Sequence, residues 1–335
     1  MRNEVSTSKG NFIIRPYLQQ DEDGVLSLWK ASFGSDMEKG IWRWKYMNNT
    51  CGNQLMLCVH EGGEIVAMYG GVCYRALWEG REILITHLMD NMSHPAYRGV
   101  LGGRSGLFVR TASAFYDNYG GSKGSIFFYG FPGSRHFYLG KYTLNYDSFS
   151  DGMAFFRSPV KNISTKSRPF SGKTDLIDPD ERLFDQLINR CRKSFPFAVI
   201  RDSEFVRWRF CEHPGNKYEI WGQRSFFSRE LKGYAVVSIE GDTARLVDIF
   251  FAPSNRTVQA FLGNLGAELG ARGIEAIETW LPKNHFLAEA VISSGFLPFP
   301  EPLGIIPGGR TFDPKLMLKW ISDNIFYTMA DGDLF

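Results

Sequence analysis

Apolar positions along this chain alternate in short runs, switch to helical spacing, and alternate again. Residues 12–18, FIIRPYL, read as a short strand. Asp21, Glu22 and Asp23 then supply helix-start chemistry before Val25, Leu28, Trp29 and Phe33, which share one helical face. A strand follows around Leu55–Val59, a turn at Glu61-Gly62-Gly63, and a strand over Ile65–Val72. Tyr74–Leu77 and Arg81–Ile85 predict a further hairpin about Glu79-Gly80, and the apolar run continues through His87-Leu88-Met89. The period then changes: Leu107, Phe108, Thr111, Ala112, Phe115 and Tyr116 predict a helix over 106–119 that ends near Gly120-Gly121. A buried strand at 125–129 comes next. Ser134 is the expected N-cap of a helix carrying Phe137, Tyr138 and Tyr142.

Residues 158–180 are rich in Ser, Pro, Lys and Asp and read as a linker. Beyond it the text repeats. Phe205–Phe210 echoes Ile41–Tyr46, Lys232–Val237 parallels Ile65–Tyr69, and a strand at 244–251 precedes a helix at 258–269 and a strand at 274–280. The matched order points to duplication. The expected organisation is therefore a first domain at 1–157, a linker at 158–180, and a second, degenerate copy at 181–335. The fold class is α/β (α+β): each domain is a mixed, mostly antiparallel sheet flanked by helices.

Composition narrows the function. With 335 residues, 22% of them charged and a net charge of +2, the chain lacks the excess basic charge of a general nucleic-acid or acidic-membrane binder. No apolar run approaches the roughly 20 residues of a membrane span, and the polar start MRNEVSTSKGN has no signal core. The expectation is a cytoplasmic protein without nucleic-acid or membrane partners, as a monomer or homodimer. Cys51, Cys58, Cys73, Cys191 and Cys211 form no CxxC pair, so neither a disulfide framework nor zinc spacing is read, and no metal site is expected.

The candidate chemistry centres on residues 87–111, HLMDNMSHPAYRGVLGGRSGLFVRT. A strand, a glycine-dense basic turn and a helix start make a device for holding phosphate. First-turn N–H groups lack intrahelical partners, and the helix dipole places partial positive charge there. Glycines let the backbone approach closely, and Arg98 and Arg104 add charge-assisted bonds. Neither GxxxxGK[ST] nor GxGxxG occurs, which sets aside a P-loop and a dinucleotide turn. The run Pro95-x-Tyr97-Arg98-Gly99, with glycines at a helix start, resembles the pyrophosphate loop of the GCN5-related N-acetyltransferase (GNAT) superfamily. It departs from that pattern at Leu101, where the family has glycine, and an insertion after Gly99 restores the junction at Ser105-Gly106-Leu107-Phe108. Tyr129-Gly130-Phe131-Pro132-Gly133 is similar to the family's next junction.

The resemblance implies acetyl-CoA, or another acyl-CoA, as co-substrate, held by Asn91, Met92, Arg98, Gly99, Gly102, Gly103, Arg104, Ser105 and Gly106. It implies a carboxylate base near Asp90 and a tyrosine acid on the helix after Gly133, either Tyr138 or Tyr142, which lie four apart on one face. His87 reads as a core histidine and His136 as a surface one. Asp331 reads as solvated, or as reaching the first domain's cleft. The second copy has Ala252-Pro253-Ser254-Asn255-Arg256 and no glycine where the loop should be, so one working cofactor site is expected. Such tandem arrangements resemble Fem-type aminoacyl transferases and N-myristoyltransferases. The function implied is acyl transfer to the amine of a small polar acceptor, for which an amino sugar is one candidate. The alternatives are a Fem-like transfer from aminoacyl-tRNA and a non-catalytic acyl-CoA sensor.

Overall fold

The structure is a computed structural model that describes residues 3–101, 103–150, 153–163, 172–179, 181–228 and 230–334. Gly102, expected at the cofactor site, and 164–171, expected in the linker, lie outside the described residues. In chain order the elements are β1 (Asn3–Thr7), β2 (Gly10–Pro16), α1 (Glu22–Phe33), α2 (Lys39–Tyr46), β3 (Asn53–His60), β4 (Ile65–Trp78), β5 (Arg81–Leu88), β6 (Met92–Ser93), α3 (Leu107–Tyr119), β7 (Phe127–Gly130), α4 (Ser134–Leu144) and β8 (Asp147–Ser148). They continue with β9 (Ala154–Pro159), β10 (Lys173–Leu176), α5 (Glu181–Cys191), β11 (Phe197–Val199), α6 (Ser203–Val206), β12 (Glu219–Arg224), β13 (Leu231–Glu240), β14 (Thr243–Phe251), α7 (Asn255–Ala271), β15 (Ala276–Trp280), α8 (Phe286–Ser293), β16 (Leu297–Pro300), β17 (Gly308–Thr311), α9 (Leu318–Asn324) and β18 (Ile325–Phe326).

Two compact units emerge, and neither is contiguous in sequence. The first holds residues 1–75, 83–149 and 307–318; the second holds 76–82, 150–306 and 319–335. This differs from the boundaries expected at 157 and 181. β9 belongs to the second unit and β17 to the first.

In the first unit the sheet order is β1-β2-β3-β4-β5-β7-β17-β8. β5 and β7 are parallel, with Ile85 beside Phe127 and His87 beside Tyr129, and α3 makes the crossover between them. α3 buries Leu107, Ala112, Phe115 and Tyr116 against Phe12, Met56, Tyr69 and Phe128, as its helical spacing predicts. β4 is one continuous strand where sequence suggested two pieces. Its buried residues run almost without interruption from Ile65 to Trp78, so no polar break ends it. Glu79 and Gly80, both at positive φ, close the tight turn into β5.

The second unit repeats the plan. Its order is β10-β12-β13-β14-β15-β9-β16, with β14 and β15 parallel and bridged by α7. In both units a strand distant in sequence pairs antiparallel with the last parallel strand: β17 with β7, and β9 with β15. The echoed aromatic segments are both helical. Trp42, Trp44 and Tyr46 are buried on α2, and Phe205, Trp208 and Phe210 are buried along α6 and the wide turn that continues it.

The core of the second unit contains charge. Arg201 is 1% exposed, Asp248 is fully buried and Asp331 is 3% exposed. Arg201 Nε donates to both oxygens of Asp248 at 3.0 and 3.2 Å, and Nη2 donates to Asp331. Tyr234 and Thr328 hydroxyls also donate to Asp248, at 2.9 and 2.7 Å. Burial disfavours the charged guanidinium, yet Asp248 and Asp331 outweigh it and raise the pKa of Arg201. Asp331 is therefore not solvated, as sequence allowed. It is a core partner of Arg201.

Candidate active site

β5 stops at Leu88, and the chain then bulges before rejoining β4. Met89 N–H still donates to Gly70 O at 3.3 Å. Asp90 takes a left-handed conformation (φ 55°), rare for a residue other than glycine and a mark of a constrained site. Asn91 Oδ1 then accepts the Gly70 N–H at 2.8 Å, and Met92 and Ser93 pair with Met68 and Ala67 as β6. The bulge carries the chain away from β7, which runs on through Gly130 to Pro132 and α4.

The loop that follows builds the expected cradle. Gly99, Leu101 and Gly103 all have positive φ, at 83°, 58° and 64°. Left-handed residues in a turn aim backbone N–H groups inward and make an anion-binding concavity. Leu101, the departure from the family pattern, adopts the left-handed conformation despite its side chain. A Cβ on Gly99 or Gly103 would meet open space, whereas on Gly106 it would lie 2.9 Å from Leu101 O. Gly106 is thus needed for close packing and Gly103 is not. Gly106 is also the N-cap of α3, and no side chain caps this helix start. The second unit differs here: Ser254 caps α7 by accepting the Thr257 N–H at 3.2 Å.

These pieces line one cleft of about 580 Å³. Its walls include Asn91, Met92, Ser93, Arg98, Gly99, Leu101, Gly103 and Gly106, with the first turn of α3 (Leu107–Val109). Val66 and Ala67 of β4, Ser32 and Phe33 of α1, and Arg135, His136 and Leu139 of α4 complete it. Phe33 and Leu139 are half exposed, so the mouth is partly apolar. Arg98 Nε is tied to Ser93 O at 3.1 Å. Arg104 and Ser105 are exposed residues in the turn before α3 but are not among the residues lining the cleft.

The expected catalytic residues fare differently. Asp90 sits beside the cleft-lining Asn91, but its carboxylate already accepts from Lys45 Nζ at 2.8 Å and Tyr46 Oη at 2.7 Å. Lys45 and Asp90 side chains are only 12% and 8% exposed. Its carboxylate is engaged by both partners on α2, so the geometry favours Asp90 as an anchor of the bulge. Tyr138 and Tyr142 are 50% and 68% exposed, stacked at 6.3 Å, and outside the cleft lining. That corrects the expectation of an acid there: α4 turns Arg135, His136 and Leu139 to the cleft, and the two tyrosines occupy a neighbouring face. His87 is buried and stacked on Tyr129, as read from sequence.

Sequence reasoning missed a tyrosine cluster. The hydroxyl of Tyr116 on α3 hydrogen-bonds Tyr69 on β4 at 2.9 Å and Tyr146 at 2.6 Å, and Tyr69 also pairs with Tyr146. Arg310 of β17 lies over the Tyr116 ring. Burial pushes Tyr69 and Tyr116 upward, so both stay protonated. The only sequence signal was the 3.6-residue face of α3, which reads Tyr116 as core. Among the described residues no group of acidic, histidine or cysteine side chains could hold a metal, and no helix is long and apolar enough to cross a membrane.

Comparison with known proteins agrees with this geometry. Residues 13–141 match the family described as acetyltransferase (GNAT) domain. No curated protein matches the sequence. Among solved structures the chain is similar to a conserved Enterococcus faecalis V583 protein described as a probable N-acyltransferase (12% identity, TM-score 0.67, covering 96% of this chain and 74% of that one). It is also similar to a GCN5-related N-acetyltransferase from Anabaena variabilis (10% identity, TM-score 0.67, covering 90% and 73%). A third likeness is to a GCN5-related glucosamine N-acetyltransferase region of a fungal multi-domain β-N-acetylglucosaminidase (12% identity, TM-score 0.53, covering 89% and 38%).

Proposed function

We propose, from the match of residues 13–141 to the acetyltransferase (GNAT) domain family, that the chain transfers an acyl group, most simply acetyl from acetyl-CoA, to the primary amine of a small polar acceptor. The observation that carries this reading is the coincidence of left-handed Gly99, Leu101 and Gly103, the uncapped start of α3 and the bulge at 89–91 along one cleft. The pyrophosphate would take the N–H groups of the loop and of Leu107–Val109, with Arg98 and Arg104 adding charge. Asn91 and Met92 would run beside the pantetheine arm.

Direct attack needs a neutral amine facing a polarised thioester. Asp90 fixes the bulge rather than taking the proton, and the acceptor approaches from the α4 side, past His136. The exposed, stacked rings of Tyr138 and Tyr142 offer flat faces for a sugar ring, which supports an amino sugar as acceptor. The likeness to a glucosamine N-acetyltransferase region points the same way. The second unit, with its self-capped α7, would bind no cofactor of its own. A sensor that binds acyl-CoA without turnover is the second reading, favoured by the engagement of Asp90 with Lys45 and Tyr46.

Calorimetry with acetyl-CoA tests the central claim. Gly103→Glu places a carboxylate in open space at the cradle, and Gly103→Ala, which carries the same left-handed backbone strain (φ 64°) without the charge, is its control. Opposed to a pyrophosphate a few ångströms away, the carboxylate should cost about 3 kcal/mol, or roughly a hundredfold in affinity. If folded wild-type protein binds neither acetyl-CoA nor longer acyl-CoAs, the reading fails. Binding with no turnover across an amine panel would establish the sensor. For an active enzyme, Tyr138→Phe should change turnover by about twofold at most, where loss of a general acid would cost about a hundredfold or more. Thiol release followed with a chromogenic disulfide reads the difference.

A further inference from the structure

The cleft carries a charge pattern of its own. Among the described residues that line it, Arg98, Arg135 and His136 can be cationic and none is a carboxylate. Asp90 and Glu64, which adjoin or contact lining residues, are both engaged. Asp90 accepts from Lys45 and Tyr46, while Glu64 accepts from Tyr97 Oη at 2.9 Å and lies 3.7 Å from His94 Nε2. Arg98 belongs to the loop assigned to the pyrophosphate, and its Nε is tied to Ser93 O. Arg135 and His136 stand elsewhere, in the first turn of α4. Both are exposed, and among the described residues neither has a hydrogen bond or ion pair.

Their placement runs against the helix dipole, whose positive end disfavours cations. α1 shows the ordinary choice, with Glu22 and Asp23 in its first turn, whereas α4 has no acidic residue there. A local preference broken with no compensating partner marks a position kept for function. Helical spacing extends the pattern. With 3.6 residues per turn, Tyr138, Tyr142, Arg135 and Leu139 follow one another, in that order, round about 100° of α4. All four are exposed. Arg135 thus stands between the cleft-lining Leu139 and the stacked tyrosines, about 4.5 Å along the helix axis from Tyr138.

We propose that the acceptor is an amino sugar bearing a phosphate, with its ring on Tyr138 and Tyr142 and its phosphate on the Arg135 guanidinium. This rests on the reading of the site as an acyl-CoA-dependent amine transferase and narrows its substrate class. The planar guanidinium offers two parallel donors to phosphate oxygens, and His136 in the same turn supplies a further N–H. The lining of the cleft presents no described carboxylate to repel a phosphate. A polycationic amine, by contrast, meets two cations and no counter-charge, so the same residues select against it. Arg135 is on this reading a specificity-determining residue, one that touches the acceptor away from the reacting amine.

The test is calorimetry, in phosphate-free buffer, on full-length protein saturated with CoA, which has no acyl group to transfer. Glucosamine 6-phosphate should bind at least about tenfold more tightly than glucosamine, the strength of one charge-assisted phosphate contact. Arg135→Gln should remove most of that preference and leave the affinities for glucosamine and for CoA within about twofold. Lys141→Gln, which takes a charge from the same helix outside the cleft lining, should keep the preference. Wild type that binds CoA but takes glucosamine 6-phosphate no more tightly than glucosamine overturns the proposal and leaves acyl transfer standing. A preference that survives Arg135→Gln overturns it too. So does a loss of about tenfold in CoA affinity in Arg135→Gln that dephospho-CoA does not show, because the guanidinium would then serve the cofactor's 3′-phosphate. Folded wild type that binds neither CoA nor acetyl-CoA defeats the acyl-CoA reading itself, and this proposal with it.

Discussion

Arg201→Ala is expected to destabilise the second unit by about 3–5 kcal/mol, enough to abolish its folded state under mild conditions. The substitution removes the cation shared by Asp248 and Asp331 and leaves two carboxylates confined in a core that admits almost no water. The hydroxyls of Tyr234 and Thr328 remain as donors to Asp248, but two hydrogen bonds do not offset an uncompensated buried charge. Arg201→Lys should be intermediate, because one ammonium cannot reproduce a fork that reaches Asp248, Asp331 and the Val199 carbonyl together. The measurement is urea unfolding followed by near-ultraviolet circular dichroism. An Arg201→Ala protein that unfolds within about 0.5 kcal/mol of wild type would show that the cluster adds nothing to stability.

The contrast between this cluster and the first unit's loop explains what was legible in the sequence. Residues 87–111 could be read because their signals are local: an apolar run, a Pro, a set of glycines, then a 3.6-residue face, all within 25 positions. The same holds for α1, α3 and the βαβ order of the second copy. Arg201, Asp248 and Asp331 lie on three elements far apart in sequence, and each alone reads as a solvated charge. Tyr138 was misread for a related reason. Spacing of four places Tyr138 and Tyr142 on one face, but only packing decides which face of α4 meets the cleft. Asp90 was read from the sequence as a base just after the central strand, but its partners Lys45 and Tyr46 come from α2, some 45 residues earlier. Leu101 showed the opposite failure. Sequence treated it as a break in the glycine pattern, and the backbone accepts it in the left-handed conformation regardless.

The expected domain boundary fails most completely, and its failure gives the second large prediction. A chain ending at residue 157, the sequence-derived edge of the first domain, should not fold cooperatively. It lacks β17, which pairs through Gly308–Thr311 with all four residues of β7. It also lacks Arg310, which lies over Tyr116, and Phe312, stacked on Tyr116 at 5.4 Å and edge-on to Phe128 at 5.2 Å. Losing several ladder hydrogen bonds at about 1 kcal/mol each, with one half-buried aromatic at about 1 kcal/mol, removes about 5 kcal/mol from a domain whose total stability is of that order. The exposed edge of β7, Phe-Phe-Tyr-Gly, would also be an open template for aggregation. Joining residues 307–318 to a chain ending at 150 through a flexible Gly-Ser linker should restore a single cooperative melt, because the missing strand is supplied in cis. Four residues without an apolar period carry no strand signal, which is why Gly308–Thr311 was invisible to pattern reading. If the chain of 157 residues melts cooperatively at the temperature of the repaired one, β17 is dispensable and the first unit ends where the sequence placed it.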